Sequence, residues 1–115
     1  MDGEYESPLM YAVCQASAAT VGFTIMAMVD GYDWVNRNDA RLRLTPLIAV
    51  CGQSDDDEAV MIARILLENG ADVNMRDSGP GAFPLLQAAQ GGKTALVQLY
   101  LQSGADITMS PKNSL

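Results

Sequence analysis

The chain has 115 residues, 49% of them apolar and 18% charged, with a formal net charge of −7 and no histidine. Such a composition excludes a disordered chain and argues against a general nucleic-acid or anionic-membrane binder, which needs a cationic face. Without imidazole the usual general base, the Ser-His and Cys-His pairs and the commonest zinc ligand are missing, so no catalytic, cofactor or metal site is expected.

The acidic start, Met1-Asp2-Gly3-Glu4-Tyr5-Glu6, reads as a tail over 1–6 and lacks the features of a secretory signal. No run approaches the roughly 18 apolar residues of a membrane span, and the expected location is the cytoplasm or nucleus. Ser7-Pro8-Leu9, Thr45-Pro46-Leu47 and Phe83-Pro84-Leu85 then recur at a spacing of 38, which marks a repeat protein. Proline is suited to the first turn of a helix, where its missing N–H costs nothing, so a helix should start near Pro8, Pro46 and Pro84. Ser7 and Thr45 can cap the first two; Phe83 cannot cap the third, and packing of its ring would have to compensate.

Small residues follow in each first helix, Ala12, Ala49 and Ala88-Ala89, and permit close helix approach. Larger apolar residues at helical spacing mark a second helix in each unit and read as its stacking surface in the core: Val21, Ile25, Met28 and Val29; Val60, Ile62, Ile65, Leu66 and Leu67; Leu96, Val97, Leu99, Tyr100 and Leu101. Gly70 and Gly104 fit the left-handed position that closes a helix. Leu96, Leu99 and Tyr100 are expected to lie exposed on the last helix, and 109–115 reads as a polar tail.

Cys14 and Cys51, in matching Ala-Val-Cys runs, read as small core hydrophobes in a reducing compartment; the alternative, a disulfide or metal pair, lacks further ligands at suitable spacing. Asp55-Asp56-Asp57-Glu58 reads as the acidic cap of a helix rather than a cation loop, with contact to a basic partner as a minor alternative. Arg37, Arg41, Arg43 and Arg76 make a local cationic edge that could pair with Asp33, Asp39 and Asp77 or grip an acidic or phosphorylated segment. Trp34, the single tryptophan, is either an interface anchor or a plug for the irregular Gly31–Asn36 turn.

Together, the Thr45-Pro46-Leu47 tripeptide, Gly70-Ala71-Asp72-Val73-Asn74, Gly104-Ala105-Asp106, and the Ala88-Ala89, Gly92, Leu96-Val97 and Tyr100-Leu101 series resemble the ankyrin repeat family. The resemblance implies an all-α solenoid over 7–108, with three helix-turn-helix repeats at about 7–44, 45–82 and 83–108 joined by β-hairpin finger loops. It implies a protein partner on the concave face of fingers and first helices, where Gln15, Gln53 and Gln90 fall by position, and either a monomer or weak self-association through the last repeat. The alternative is a segment stacked among further repeats of a larger scaffold, channel or enzyme. By the same resemblance Asn36 and Asn74 tie successive fingers together and are candidates for hydroxylation. The family's histidine after the tripeptide is Met10, Ile48 and Leu86 here, so its helix-start hydrogen bond is expected to be absent. Counted along the sequence, units one and two carry about three and four extra residues in the turn between their helices, and each finger carries one.

Overall fold

A computed structural model describes residues 8–27, 34–40, 42–78 and 81–108. The two tails, Ser7, Met28, Val29, Gly31, Tyr32, Asp33 and Arg41 lie outside the described residues. Proline starts every first helix: α1 is Pro8–Gln15, α3 is Pro46–Ala49 with a 3₁₀ turn Val50–Gly52 continuing it, and α5 is Pro84–Gln90. The second helices are α2, Ala18–Ala27, α4, Asp56–Glu68, and α6, Thr94–Gln102. Along the first layer α1 packs on α3 and α3 on α5; along the second, α2 packs on α4 and α4 on α6. Each unit buries its apolar stripe between its own two helices and by stacking on its neighbour, as expected of a solenoid.

The core between the layers is built from Leu9, Val13, Val21, Leu47, Val50, Ile62, Leu66, Leu96 and Tyr100. Of the expected second-helix residues, Ile25 and Leu99 are also buried, while Val60, Ile65, Leu67 and Val97 are half-buried against this core. Tyr100, fully buried, donates its hydroxyl to the Leu47 carbonyl at 3.0 Å, linking unit three to the first helix of unit two. Burial pushes its phenol well above the ordinary value, which keeps the proton on the donor.

Two expectations are corrected. The turns between helices are not extended: residues 53–55 join unit two and 91–93 join unit three, and α4 is 13 residues long against nine for α6. The four extra residues form one more turn of helix, and because a turn is about 3.6 residues the buried face stays in phase. The last helix does not expose Leu96, Leu99 and Tyr100, which are 1%, 7% and 0% accessible; they face the preceding unit, and Leu101 and Ile107 are the large apolar residues exposed there.

Thr45 also departs from its expected part. Its side chain makes no cap bond, and the start of α3 is held by its carbonyl, which accepts the Ile48 and Ala49 N–H groups at 3.1 and 2.9 Å. The hydroxyl is buried without a partner among the described residues. The residue after the Thr45-Pro46-Leu47 tripeptide is Ile48, which has no side-chain donor to offer it. Phe83 makes no cap either, and its ring is buried.

The helix ends follow the sequence. Gly70 and Gly104 have φ of 96° and 94°, and the same pair of bonds closes both helices: Gly70 N–H to Leu67 O and Ala71 N–H to Leu66 O, then Gly104 N–H to Leu101 O and Ala105 N–H to Tyr100 O. This is the Schellman arrangement, which requires the left-handed residue.

Candidate binding surface

No strand forms among the described residues. Each finger is instead closed by main-chain bonds and a buried aspartate, finger one also by Arg43 N–H donating to Asp39 O at 2.7 Å. In finger one Asp39 N–H donates to Leu44 O at 2.9 Å, and the Asp39 carboxylate accepts Leu42 N–H at 2.9 Å. In finger two Asp77 N–H donates to Ala82 O at 2.8 Å, and its carboxylate accepts the Gly81 and Ala82 N–H groups at 2.7 and 3.2 Å. Asp39 and Asp77 are buried, which their charge concealed in the sequence.

The four candidate arginines have different fates, with Arg41 outside the described residues. Arg37 is exposed and lies over the Trp34 ring, 4.2 Å from its centroid. Trp34 is half-buried against the core, so its inner face plugs the fold while its ring carries a cation–π contact. Arg76 is half-buried, donates to Gly81 O at 2.8 Å and lies 5.3 Å over the Phe83 ring. Arg43 is exposed and donates to Ser78 O at 3.2 Å, while its own carbonyl accepts Ser78 N–H at 3.2 Å. Main-chain carbonyls of finger two, rather than the expected aspartates, hold Arg43 and Arg76.

Arg43 is also the one non-glycine with positive φ among the described residues, at 63°. Gly81, 38 positions later, has φ 87°. The left-handed region costs an L-residue about 1–2 kcal/mol, so finger one carries a strained arginine where finger two uses glycine. Aligning the fingers by the 38-residue period makes this position visible in the sequence; the Arg43–Ser78 contact has no such signal.

The glutamines separate as well. Gln15 and Gln90 are exposed at the ends of α1 and α5, whereas Gln53 Nε2 donates to Val13 O at 2.6 Å and ties unit two to unit one. Asn36 donates to Gly70 O at 2.8 Å and accepts Asp72 N–H at 2.6 Å; Asn74 repeats this with Gly104 O at 3.4 Å and Asp106 N–H at 2.9 Å. Both amides therefore lie between one finger and the helix end of the next unit.

The acidic run caps α4, with Asp55 accepting Glu58 N–H at 3.1 Å. It also joins units: Glu58 accepts Ala18 N–H at 2.5 Å, and Asp56 pairs with Lys93 at 3.2 Å, whose ammonium also donates to Gln53 O. No cluster able to hold a metal occurs among the described residues. Cys14 is half-buried and Cys51 buried, both free thiols, and burial pushes each up to about 11. No helix among the described residues is long and apolar enough to cross a membrane.

Among the candidate residues Arg37, Arg43, Gln15 and Gln90 are exposed, and Trp34 is half-buried under Arg37. These groups offer guanidinium forks, an aromatic edge and amides, which suit recognition of a polar or acidic protein surface.

Residues 43–78 match the model of the ankyrin repeat. The chain is 38% identical over 71 residues to the rat ankyrin repeat and SAM domain-containing protein 6, covering 60% of this chain and 7% of that protein. It is 31% identical over 64 residues to the Caenorhabditis elegans ankyrin repeat and KH domain-containing protein mask-1, covering 56% of this chain and 2% of that protein. A Caenorhabditis briggsae ankyrin repeat and KH domain-containing protein is 36% identical over 64 residues, with 56% and 2% covered. The chain thus spans 7% or less of the length of these relatives. Ankyrin repeats are in general protein–protein interaction modules within larger proteins, and are generally non-catalytic. With the 38-residue period, the proline-started helix pairs and the asparagine ties between units, the match identifies residues 43–78 as an ankyrin repeat, in a chain whose curated relatives are ankyrin repeat proteins.

Proposed function

We propose that this chain is a non-catalytic module that binds a partner protein through the surface of its fingers and first helices. Four of its seven cationic residues, Arg37, Arg41, Arg43 and Arg76, fall in two fingers of a chain with net charge −7. The observation that carries the reading is Arg43: a strained, exposed arginine stands where the neighbouring finger has glycine, and strain of this kind persists where the side chain is useful. Arg37, stacked on Trp34, and Gln15 and Gln90 extend the surface; Gln53 and Arg76 support it from behind through their internal bonds. The matching partner carries an acidic or phosphorylated segment, and the free thiols fit a reducing compartment such as the cytoplasm or nucleus. Affinity capture with the wild-type chain and with an Arg37→Glu/Arg43→Glu variant of equal melting temperature tests this. A protein retained by the first and lost by the second supports the reading; equal retention overturns it.

A second reading, a segment stacked on further repeats of a scaffold, has support of its own. Phe23 and Met26 of α2 are 72% and 81% exposed, and Ile107 after α6 is 75% exposed. Apolar surface on both outer units suits further stacking or self-association. Sedimentation of a concentration-independent monomer would count against it.

A further inference from the structure

Arg43 and Ser78 form a closed ring between consecutive fingers. Ser78 N–H donates to the Arg43 carbonyl, and the Ser78 carbonyl accepts from Arg43 Nη2, both at 3.2 Å. Ser78 is exposed, and its hydroxyl is engaged by no described residue. The carboxylate beside it, Asp77, is turned inward onto Gly81 and Ala82 N–H groups and is 5% exposed. Ser78 therefore offers a hydroxyl on the same residue whose carbonyl already accepts the Arg43 guanidinium.

We propose that Ser78 is a phosphoacceptor whose phosphate is captured by Arg43 of the preceding finger. In the reaction, Ser78 Oγ attacks the γ-phosphorus of a nucleoside triphosphate held by a protein kinase. The Oγ–P bond forms as the bond to the β,γ-bridging oxygen breaks, that oxygen leaves with the electron pair on the nucleoside diphosphate, and the hydroxyl proton passes to a carboxylate base of the kinase, giving phosphoserine. The new group brings about 1.5–2 negative charges and three acceptor oxygens to a residue whose carbonyl already lies 3.2 Å from the guanidinium. A cation-to-carbonyl contact gains an ion-pair partner that the guanidinium fork can grip with two N–H groups. Exposed ion pairs are ordinarily weak because two long side chains must be ordered; here the Arg43 side chain is held by Ser78 in the unmodified chain. The regulatory consequence rests on the binding surface proposed above: a guanidinium occupied by phosphoserine is withdrawn from an acidic partner, so modification releases that partner.

The test uses the full 115-residue chain with phosphoserine encoded at position 78. A ³¹P NMR titration follows the second phosphate ionisation, about 6 for an unperturbed group. Capture predicts that it falls by about half a unit or more in the folded chain relative to the chain in urea, and that Arg43→Gln abolishes the fall. Arg43→Lys, which keeps the charge but not the fork, retains part of it and serves if Arg43→Gln does not fold. Identical titrations in folded, unfolded and Arg43→Gln chains overturn capture. A second arm incubates the unmodified chain with ATP and a serine kinase that prefers a basic residue upstream, as Arg76 is. Phosphate is expected on Ser78 before the exposed Ser17, Ser54 and Ser103; modification of those with Ser78 untouched overturns its role as acceptor. A shifted titration with undiminished partner binding would retain the capture and refute the partner surface instead.

Discussion

Thr45→Val should stabilise the protein. Thr45 precedes Pro46 at the start of α3, where replacing a capping threonine ordinarily costs about 1 kcal/mol. Its hydroxyl, however, makes no cap bond, lies in a residue 1% exposed and has no partner among the described residues. A buried polar group left unsatisfied costs about 1–3 kcal/mol, and valine replaces that hydroxyl with a methyl of similar size while leaving the carbonyl that receives the Ile48 and Ala49 N–H groups. The expected gain is about 0.5–2 kcal/mol. For a domain of this size that raises the melting temperature by about 2–8 °C. Urea unfolding followed by far-ultraviolet circular dichroism measures it, with the slope unchanged between variants so that the midpoint reports stability. A loss of 1 kcal/mol or more would refute the reasoning, since it would mean that the hydroxyl is hydrogen-bonded in solution.

Other expectations follow from the same structure. Tyr100→Phe removes the bond to Leu47 O and should cost about 1 kcal/mol in the same urea assay; no change would mean that the hydroxyl is hydrated. Gly104→Ala meets no atom within 4 Å, so its cost comes from φ of 94° alone and should be about 1–2 kcal/mol. Cys14 and Cys51 ionise near 9.0 when unperturbed and are pushed up to about 11 in the fold by burial. Above pH 9 the unfolded chain sheds these protons first, so their contribution is full below pH 9 and is lost between pH 9 and 11. A Cys14→Ala/Cys51→Ala variant should show a flatter fall over that window, and in the wild type a disulfide reagent at pH 8 should label both thiols faster in urea than in buffer.

Much of the fold was legible because the 38-residue period repeats features with strong local causes. Proline can start a helix but not sit inside one, which placed α1, α3 and α5; glycine accepts the left-handed turn, which placed the ends of α4 and α6. Spacing counts the four extra residues of unit two without saying whether they are wound, and one added helical turn leaves the apolar phase untouched. Spacing gives Leu96, Leu99 and Tyr100 a stacking role but not the side on which they stack, because a helix stripe has the same periodicity whichever neighbour it meets. At the candidate surface, residue type located the cationic fingers but could not foresee that Arg76 and Gln53 would spend their donors on main-chain carbonyls. Such bonds link residues far apart in sequence and leave no local signature.

The asparagine ties give the array a direction. Asn36 completes the turn at Gly70 and Asp72, and Asn74 completes the turn at Gly104 and Asp106, so each unit closes its successor's second helix and does not receive the same service from it. Cutting the chain before residue 45 would therefore orphan the end of α4, whereas cutting after residue 78 would leave that end intact and deprive Asn74 only of the turn it serves. The two fragments share unit two but should differ in how firmly α4 is held, with faster amide exchange at Asp72 in the fragment that starts at residue 45.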